Sequence, residues 1–266
     1  MILSHLKIKA LVVAPYVLLP GDPARVDTIG RELTSFRIVG NNREFKTGNG
    51  SYQGIPITVC STGIGCPSTA IAAEELISAG AKVLIRVGTC GGAWRADIPA
   101  GSLVIPIASI RDEGATREYI PDGFPAVADY NVVRALEETA RTLKKNCFVG
   151  INRTHDAFYG NQSSITKWGA YLCDARWKKQ DTPILSSEME SAALFIVASL
   201  WGAKAGAILA VNANPEPLRN RVRGLTQRVI AESSPTLSAE VVKDMVSVAL
   251  GAIVRLAEQN HHASPL

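Results

Sequence analysis

Apolar residues along this chain gather in short continuous runs rather than in strict alternation. Val17 to Leu19, Ile55 to Ser61, Val83 to Val87, Leu103 to Ile110, Phe148 to Asn152 and Gly206 to Val211 are such runs. Stretches of this length, rich in Val, Ile and Leu, predict strands covered on both faces. Between them the period changes to that of a helix. Pro67 opens a helical stretch through Ile71, Ala72, Glu75, Leu76 and Ala79, and Gly80 stops it. Asn131 to Lys144 places Val132, Val133, Leu136, Ala140 and Leu143 on one face. Glu188 to Trp201 carries Met189, Ala192, Ala193, Phe195, Ile196 and Leu200. Ser238 to Gln259 is a long amphipathic stretch suited to lie across the outside of a sheet. Strands alternating with helices predict an α/β architecture around a central sheet. No repeat or linker divides residues 1–266, so a single domain is expected, with a frayed tail over 260–266. Pro215 to Ser234, polar and arginine-rich, reads as a long loop or a functional lid.

Composition narrows the classes of function. A net charge of +4 is too small to argue for nucleic acid, and no basic cluster is interleaved with aromatic residues. The five cysteines, Cys60, Cys66, Cys90, Cys147 and Cys173, contain no C-x-x-C pair. That pattern is neither a disulfide framework nor a zinc site, and predicts a reducing, cytoplasmic compartment. The apolar run from Ala10 to Leu19 flows into Pro20-Gly21-Asp22-Pro23 without a small-residue cleavage site, so it reads as a strand, not a leader. No stretch is long enough to span a bilayer. Asn49, Asn152 and Asn161 begin Asn-x-Ser/Thr sequons, which matter only in a secreted protein.

Candidate chemistry sits at the strand ends. Lys82-Val83-Leu84-Ile85 runs into Arg86-Val87-Gly88-Thr89-Cys90-Gly91-Gly92, and Val17-Leu18-Leu19 runs into Pro20-Gly21-Asp22-Pro23-Ala24-Arg25. Each pairs an arginine with flexible backbone N–H groups, which together suit one shared oxyanion, most simply phosphate. Gly63-Ile64-Gly65-Cys66-Pro67-Ser68 imitates a dinucleotide fingerprint, but Ser68 stands at its third position. The next strand also ends in Arg86 where NAD would need a carboxylate. Ser187-Glu188-Met189-Glu190-Ser191 offers carboxylates for a diol and an apolar floor, or simply acids favoured at a helix N-terminus. Phe158-Tyr159-Gly160-Asn161-Gln162 suits a stacked planar heterocycle. His155 beside Asp156 is the one candidate base pair among scattered histidines, and reads as structural; His261 and His262 read as solvated.

Taken in order, these segments resemble the nucleoside phosphorylase family, in its hexameric uridine phosphorylase and purine nucleoside phosphorylase branch. The resemblance spans nearly the whole chain, from His5-Leu6 to the C-terminal helix. It rests on Gly21-Asp22-Pro23-Ala24-Arg25, Asn42-Arg43-Glu44-Phe45, Ser61-Thr62-Gly63-Ile64-Gly65, Arg86-Val87-Gly88-Thr89, Phe124 to Asp129 and Glu188-Met189-Glu190. It implies a three-layer α/β domain with a central twisted mixed sheet flanked by helices. It implies that Gly21, Arg25, Arg86 and Thr89 bind phosphate, with Arg43 reaching a neighbouring subunit's phosphate. Glu190 would hold the ribose hydroxyls above Met189, with Glu188 close by, and His5 would touch the 5′-hydroxyl across a dimer interface. Phe158 would pack on the base and Gln162 would read it. The implied reaction is reversible phosphorolysis of a nucleoside to base and ribose 1-phosphate. Phosphate is the co-substrate, no metal or other cofactor is needed, and homodimers with shared sites assemble into a homohexamer. Nucleic acid and membrane are not expected partners.

The base pocket departs from both branches. Ser164 stands where uridine phosphorylases carry an arginine after the glutamine, and Pro215 follows Asn214 where a supporting arginine is expected. Asn212 stands near the position of the purine branch's aspartate. Uridine phosphorylase-like activity is the first expectation and purine nucleoside phosphorylase the second. A nucleoside-binding homologue of low turnover is the alternative of another class. Arg219, Arg221 or Arg223 could supply the missing arginine.

Overall fold

The computed structural model describes residues 1–92, 95, 97–158, 167–168, 183–213 and 237–262. Gln162 and Ser164 of the expected base pocket, Cys173, and the Pro215 to Ser234 segment with its arginines lie outside the described residues.

Three parallel strands form the heart of the sheet. β1 (Tyr16–Leu19) lies between β4 (Ile55–Cys60) and β5 (Val83–Gly92). Val17, Leu18, Leu19, Val83, Leu84, Ile85 and Val87 are buried, as their unbroken apolar runs require. Beyond β4 the sheet continues antiparallel through β3 (Phe45–Tyr52) to the edge strand β2 (Thr34–Asn42). On the other side, β10 (Lys204–Ala213) runs parallel to β5 and antiparallel to β6 (Leu103–Asp112). β8 (Cys147–His155) joins β6 to β9 (Ile184–Glu188), and β9 returns to β5 through Gly91 and Gly92. The order β5–β10–β6–β8–β9 therefore closes on itself, so the mixed sheet curls into a ring with β1, β4, β3 and β2 as an open wing. The short β7 (Ala126–Val127) pairs with β6 outside this circuit.

The helices flank this sheet, as expected. α1 (Pro23–Gly30) follows β1 and α2 (Cys66–Ser78) follows β4. α3 (Ala115–Tyr119) and α4 (Tyr130–Thr142) follow β6 and β7. α5 (Ser191–Leu200) is buried from Ser191 to Ala198 and packs on α2 and β10. α6 (Ala239–His262) packs against α4, β10 and β5, and runs past Asn260, where fraying was expected. Among the described residues no helix is long and apolar enough to cross a membrane. β1 and β4 end together beside Arg86 of β5, which runs on to Gly92, and α1 and α2 start there. Open α/β sheets bind ligands at such a meeting of strand carboxyl ends and helix N-termini.

Candidate active site

Arg86 lies within β5, in register with Leu19 at the end of β1, and is only 4% exposed; the strand expected to stop at Val87 runs on to Gly92 because it stays paired with β10. Its guanidinium has three distinct neighbours. Nε donates to Glu188 Oε2 at 3.0 Å, and Nη2 donates to Glu190 Oε2. Nη1 is buried and has no hydrogen-bond partner. A Cβ added to Gly21 would lie 3.8 Å from that Nη1, so the free donor faces the β1–α1 turn. Gly88 lies against the guanidinium plane; a Cβ there would stand 2.8 Å from Arg86 Cζ. Arg25 comes in from α1, donating to the Val87 carbonyl at 3.4 Å. Burial lowers the Arg25 pKa, and the charge of Arg86 lowers it further against a smaller pull from Asp22. Two guanidiniums that disfavour each other, one with an unused buried N–H, make a place for an anion.

Local sequence explains the turn. Asp22 caps α1 by accepting from Ala24 N at 2.9 Å, and Pro23 fits the first helical turn. The β4–α2 loop is stitched beside it by Thr62 N to the Pro20 carbonyl, 2.9 Å, and Gly63 N to the Gly21 carbonyl, 3.0 Å. Gly65, at φ 94, turns its N–H onto Glu190 Oε1 at 2.8 Å. That amide is therefore held by a protein carboxylate, and Ser68 hydroxyl turns to Glu44 and the Thr62 carbonyl. The dinucleotide reading of this loop has no support in its geometry.

The two glutamates hold different stations. Glu188 accepts from Arg86 Nε, from Asn152 Nδ2 at 2.9 Å, from Thr154 Oγ1 at 2.6 Å, and from the backbone N–H groups of Glu190 and Ser191. It caps the buried N-terminus of α5, the role that the bland reading gave it. Burial alone would raise its pKa, but Arg86, Thr154, the Glu190 amide and Asn152 together hold it below the usual carboxylate range. Glu190 takes the Gly65 amide on one oxygen and Arg86 on the other, with Met189 N at 3.2 Å. Burial raises its pKa, and Glu188 adds to that against the pull of Arg86. Met189 between them is half-buried, and its carbonyl accepts from Cys66 Sγ.

A scan against family models matches the Phosphorylase superfamily over residues 15–247. The chain belongs to the phosphorylase superfamily. It is 40% identical to a uridine phosphorylase of Treponema pallidum over 91% of this chain and 94% of that protein. It is 39% identical to a guanosine phosphorylase of Halorubrum lacusprofundi over 79% of this chain and 83% of that one. The solved structure of purine nucleoside phosphorylase from Toxoplasma gondii in complex with immucillin-H matches with a TM-score of 0.82. Identity there is 30%, and the match covers 97% of both chains. The family resemblance and the mixed α/β fold read from the sequence are borne out.

Seen as a phosphorylase-superfamily member, the remaining expected residues fall into two groups. Gly21, Arg25, Arg86, Glu188, Met189 and Glu190 come together around the ends of β1 and β9 and the middle of β5, and Thr89 lies further along β5 beside Ala210 of β10. His5 and Arg43 stand apart. His5 Nδ1 meets Glu75 Oε1 at 2.8 Å, and its carbonyl accepts from Asn42 Nδ2. From Cys66 to Glu75 along α2 is roughly 14 Å at about 1.5 Å per residue. Arg43 is exposed at the β2–β3 turn with φ 53. On the base side, Phe158 is 55% exposed just beyond β8. Asn212 sits where the β10–β5 register shifts, and its Oδ1 is buried without a hydrogen-bond partner. Ser187, opposite Gly91 on β9, likewise buries an unpartnered Oγ. Of the expected base pair, His155 Nδ1 meets the Ala157 carbonyl at 3.2 Å, and Asp156 Oδ2 accepts from Gly114 N at 2.8 Å.

Sequence reasoning passed over the Gly65 amide, Thr154 and Asn152, and read Gly88 as a source of free backbone N–H groups, not as the surface against the Arg86 guanidinium. Asn152 was readable as the end of the Phe148 to Asn152 run and the start of a sequon; it is fully buried and bonded to Glu188. The only signal was a polar triplet, Asn152 to Thr154, where a strand should be apolar.

Proposed function

We propose that this protein is a nucleoside phosphorylase, uridine phosphorylase-like, which cleaves nucleosides reversibly to base and ribose 1-phosphate. The observation that carries the reading is Arg86: one guanidinium whose Nη2 rests on Glu190 while its buried Nη1 is unused. Arg25, Arg86, Gly21 and Thr89 bind phosphate. Glu190 accepts from the ribose diol, with Met189 under the sugar and Glu188 behind Arg86. Phosphate held below C1′ attacks as the glycosidic bond stretches, and an oxocarbenium-like sugar forms between the anion and Glu190. Positioning of the two reactants and fixed charge supply most of the rate enhancement. The bond from C1′ to the base breaks, and its electron pair leaves with the base, which hydrogen bonds or a proton must stabilise.

Asn212 supports an oxo base. Its buried Oδ1 is an acceptor seeking an N–H. Uracil and 6-oxopurines both present N–H beside C=O, and the guanosine phosphorylase relative keeps the purine reading in second place. Phe158 and Gln162 complete the base pocket in this account. The protein acts as one domain in nucleoside salvage in the cytoplasm, without a metal or organic cofactor. It forms homodimers in which His5 and Arg43 complete the neighbour's site, and these assemble as a homohexamer. The exposed Arg43 and the outward station of His5 on Glu75 support that arrangement.

The test is base release from uridine, thymidine, inosine and adenosine, each with and without phosphate. Uridine should turn over fastest and only with phosphate. Faster inosine cleavage would move the assignment to purines. Phosphate-independent release of free ribose would replace phosphorolysis by hydrolysis.

A further inference from the structure

A column of buried polar side chains runs across β6, β8 and β9 and ends on Arg86. It begins at Ser109 on β6, whose Oγ accepts from Asn152 Nδ2 at 3.0 Å. Ser186 on β9 donates to Asn152 Oδ1 at 2.7 Å. Asn152, on β8 between them, donates to Glu188 Oε1 at 2.9 Å. Thr154, two residues on and facing the same side of β8, donates to that oxygen at 2.6 Å. Its Oγ1 also accepts from Ala192 N at 3.1 Å, which fixes the hydroxyl's direction. Asn152, Thr154 and Ser186 are fully buried. Three strands, β6, β8 and β9, thus supply a chain of bonds that ends on one carboxylate, and that carboxylate holds Arg86 Nε on β5.

Buried polar groups are costly unless every one is paired, and a paired chain of them fixes a single geometry. Here the geometry being fixed is the Arg86 plane. Gly88 supports the flat face of the guanidinium, Glu188 sets its in-plane rotation, and Nη1 is left facing Gly21. Without a fixed Glu188, rotation of the arginine side chain would carry Nη1 away from the turn. We infer that Thr154 and Asn152 are positioning residues for the anion site: through Glu188 they orient Arg86 so that Nη1 meets phosphate. The inference rests on the reading of Arg86 as a phosphate ligand.

Calorimetric titration of the intact protein with inorganic phosphate tests it without any need for turnover. Thr154→Val keeps the side-chain shape and removes all three hydrogen bonds of the hydroxyl, to Glu188, from Ala192 N and from Asn152 Nδ2. It should weaken phosphate binding about tenfold, and Thr154→Ser should restore it. In steady-state assays the KM for phosphate should rise by a similar factor while the KM for nucleoside stays within twofold. Ser186→Ala, which removes one donor from Asn152 and leaves the carboxylate's own bonds in place, should weaken phosphate binding two- to threefold. It serves as the second reading if the valine variant does not fold. Wild-type affinity for phosphate in folded Thr154→Val or Ser186→Ala overturns the inference. A wild-type protein that binds no phosphate would instead remove the anion site itself.

Discussion

Gly88 lies flat beneath the Arg86 guanidinium, and the two residues make one functional unit. Gly88→Ala would place a methyl group 2.8 Å from Cζ, closer than real Cβ contacts allow. The guanidinium must move, so phosphorolysis should fall about tenfold or more while the circular dichroism spectrum stays that of the wild type. Arg86→Lys should be almost as damaging as Arg86→Ala. An ammonium cannot hold Glu188, Glu190 and an anion in one plane. The thiols tell the opposite story. Burial pushes Cys60 and Cys147 up to about 12, and pushes Cys66 and Cys90 higher still. With a thiolate so disfavoured, these four should resist a disulfide reagent at pH 8 in the native protein; rapid modification would show that they are activated. At this scale the sequence displays its charged residues well. Arg25, Arg86, Glu188 and Glu190 were legible because a charge that follows or interrupts an apolar run asks for a reason. Thr154, Asn152 and the Gly65 amide were not, because their roles depend on partners more than thirty positions away.

The elements that carry the site lie near where the sequence places them, but β5 runs past the expected Val87 to Gly92, and the helix expected from Glu188 starts at Ser191, Glu188 being the last residue of β9. β1, β4 and β5 were readable because strands covered on both faces leave unbroken apolar runs. The β2–β3 hairpin was not. Thr34–Asn42 is exposed or half-buried throughout and Phe45–Tyr52 is glycine-rich, so neither shows a buried run or a clean alternation. The closure of β9 onto β5 was also hidden, since it rests on two residue pairs at Gly91 and Gly92. Helix starts are the working parts of this site, and α1 offers a direct test. Asp22→Ala removes the acceptor that caps Ala24 N. It should cost about 1 kcal/mol of stability, measured by denaturant unfolding. It should also raise the KM for phosphate by loosening the turn that faces Arg86 Nη1. An unchanged midpoint and unchanged KM would mean that water replaces the cap and that the turn is held by the Gly63 and Thr62 bonds alone.

At the scale of the whole molecule, the ring closed by β9 and β10 brings chain segments a hundred residues apart onto one arginine. His5 and Arg43 remain on the rim, apart from the Arg86 cluster, and the proposal of sites shared between subunits rests on that separation. Mixing inactive His5→Ala and Glu190→Ala proteins should therefore restore activity, because some dimers regain one intact site. No recovery after subunit exchange, verified by mass spectrometry, would place each site within one chain. The central claim is that Arg86 makes this fold a phosphorolytic enzyme. The most direct measurement is phosphorus NMR of uridine and inosine incubated with phosphate and either wild-type or Arg86→Ala protein. The account predicts that ribose 1-phosphate accumulates with the wild type and forms at least a hundredfold more slowly with the folded variant. Equal accumulation in both, or free ribose with no phosphate ester, would contradict it.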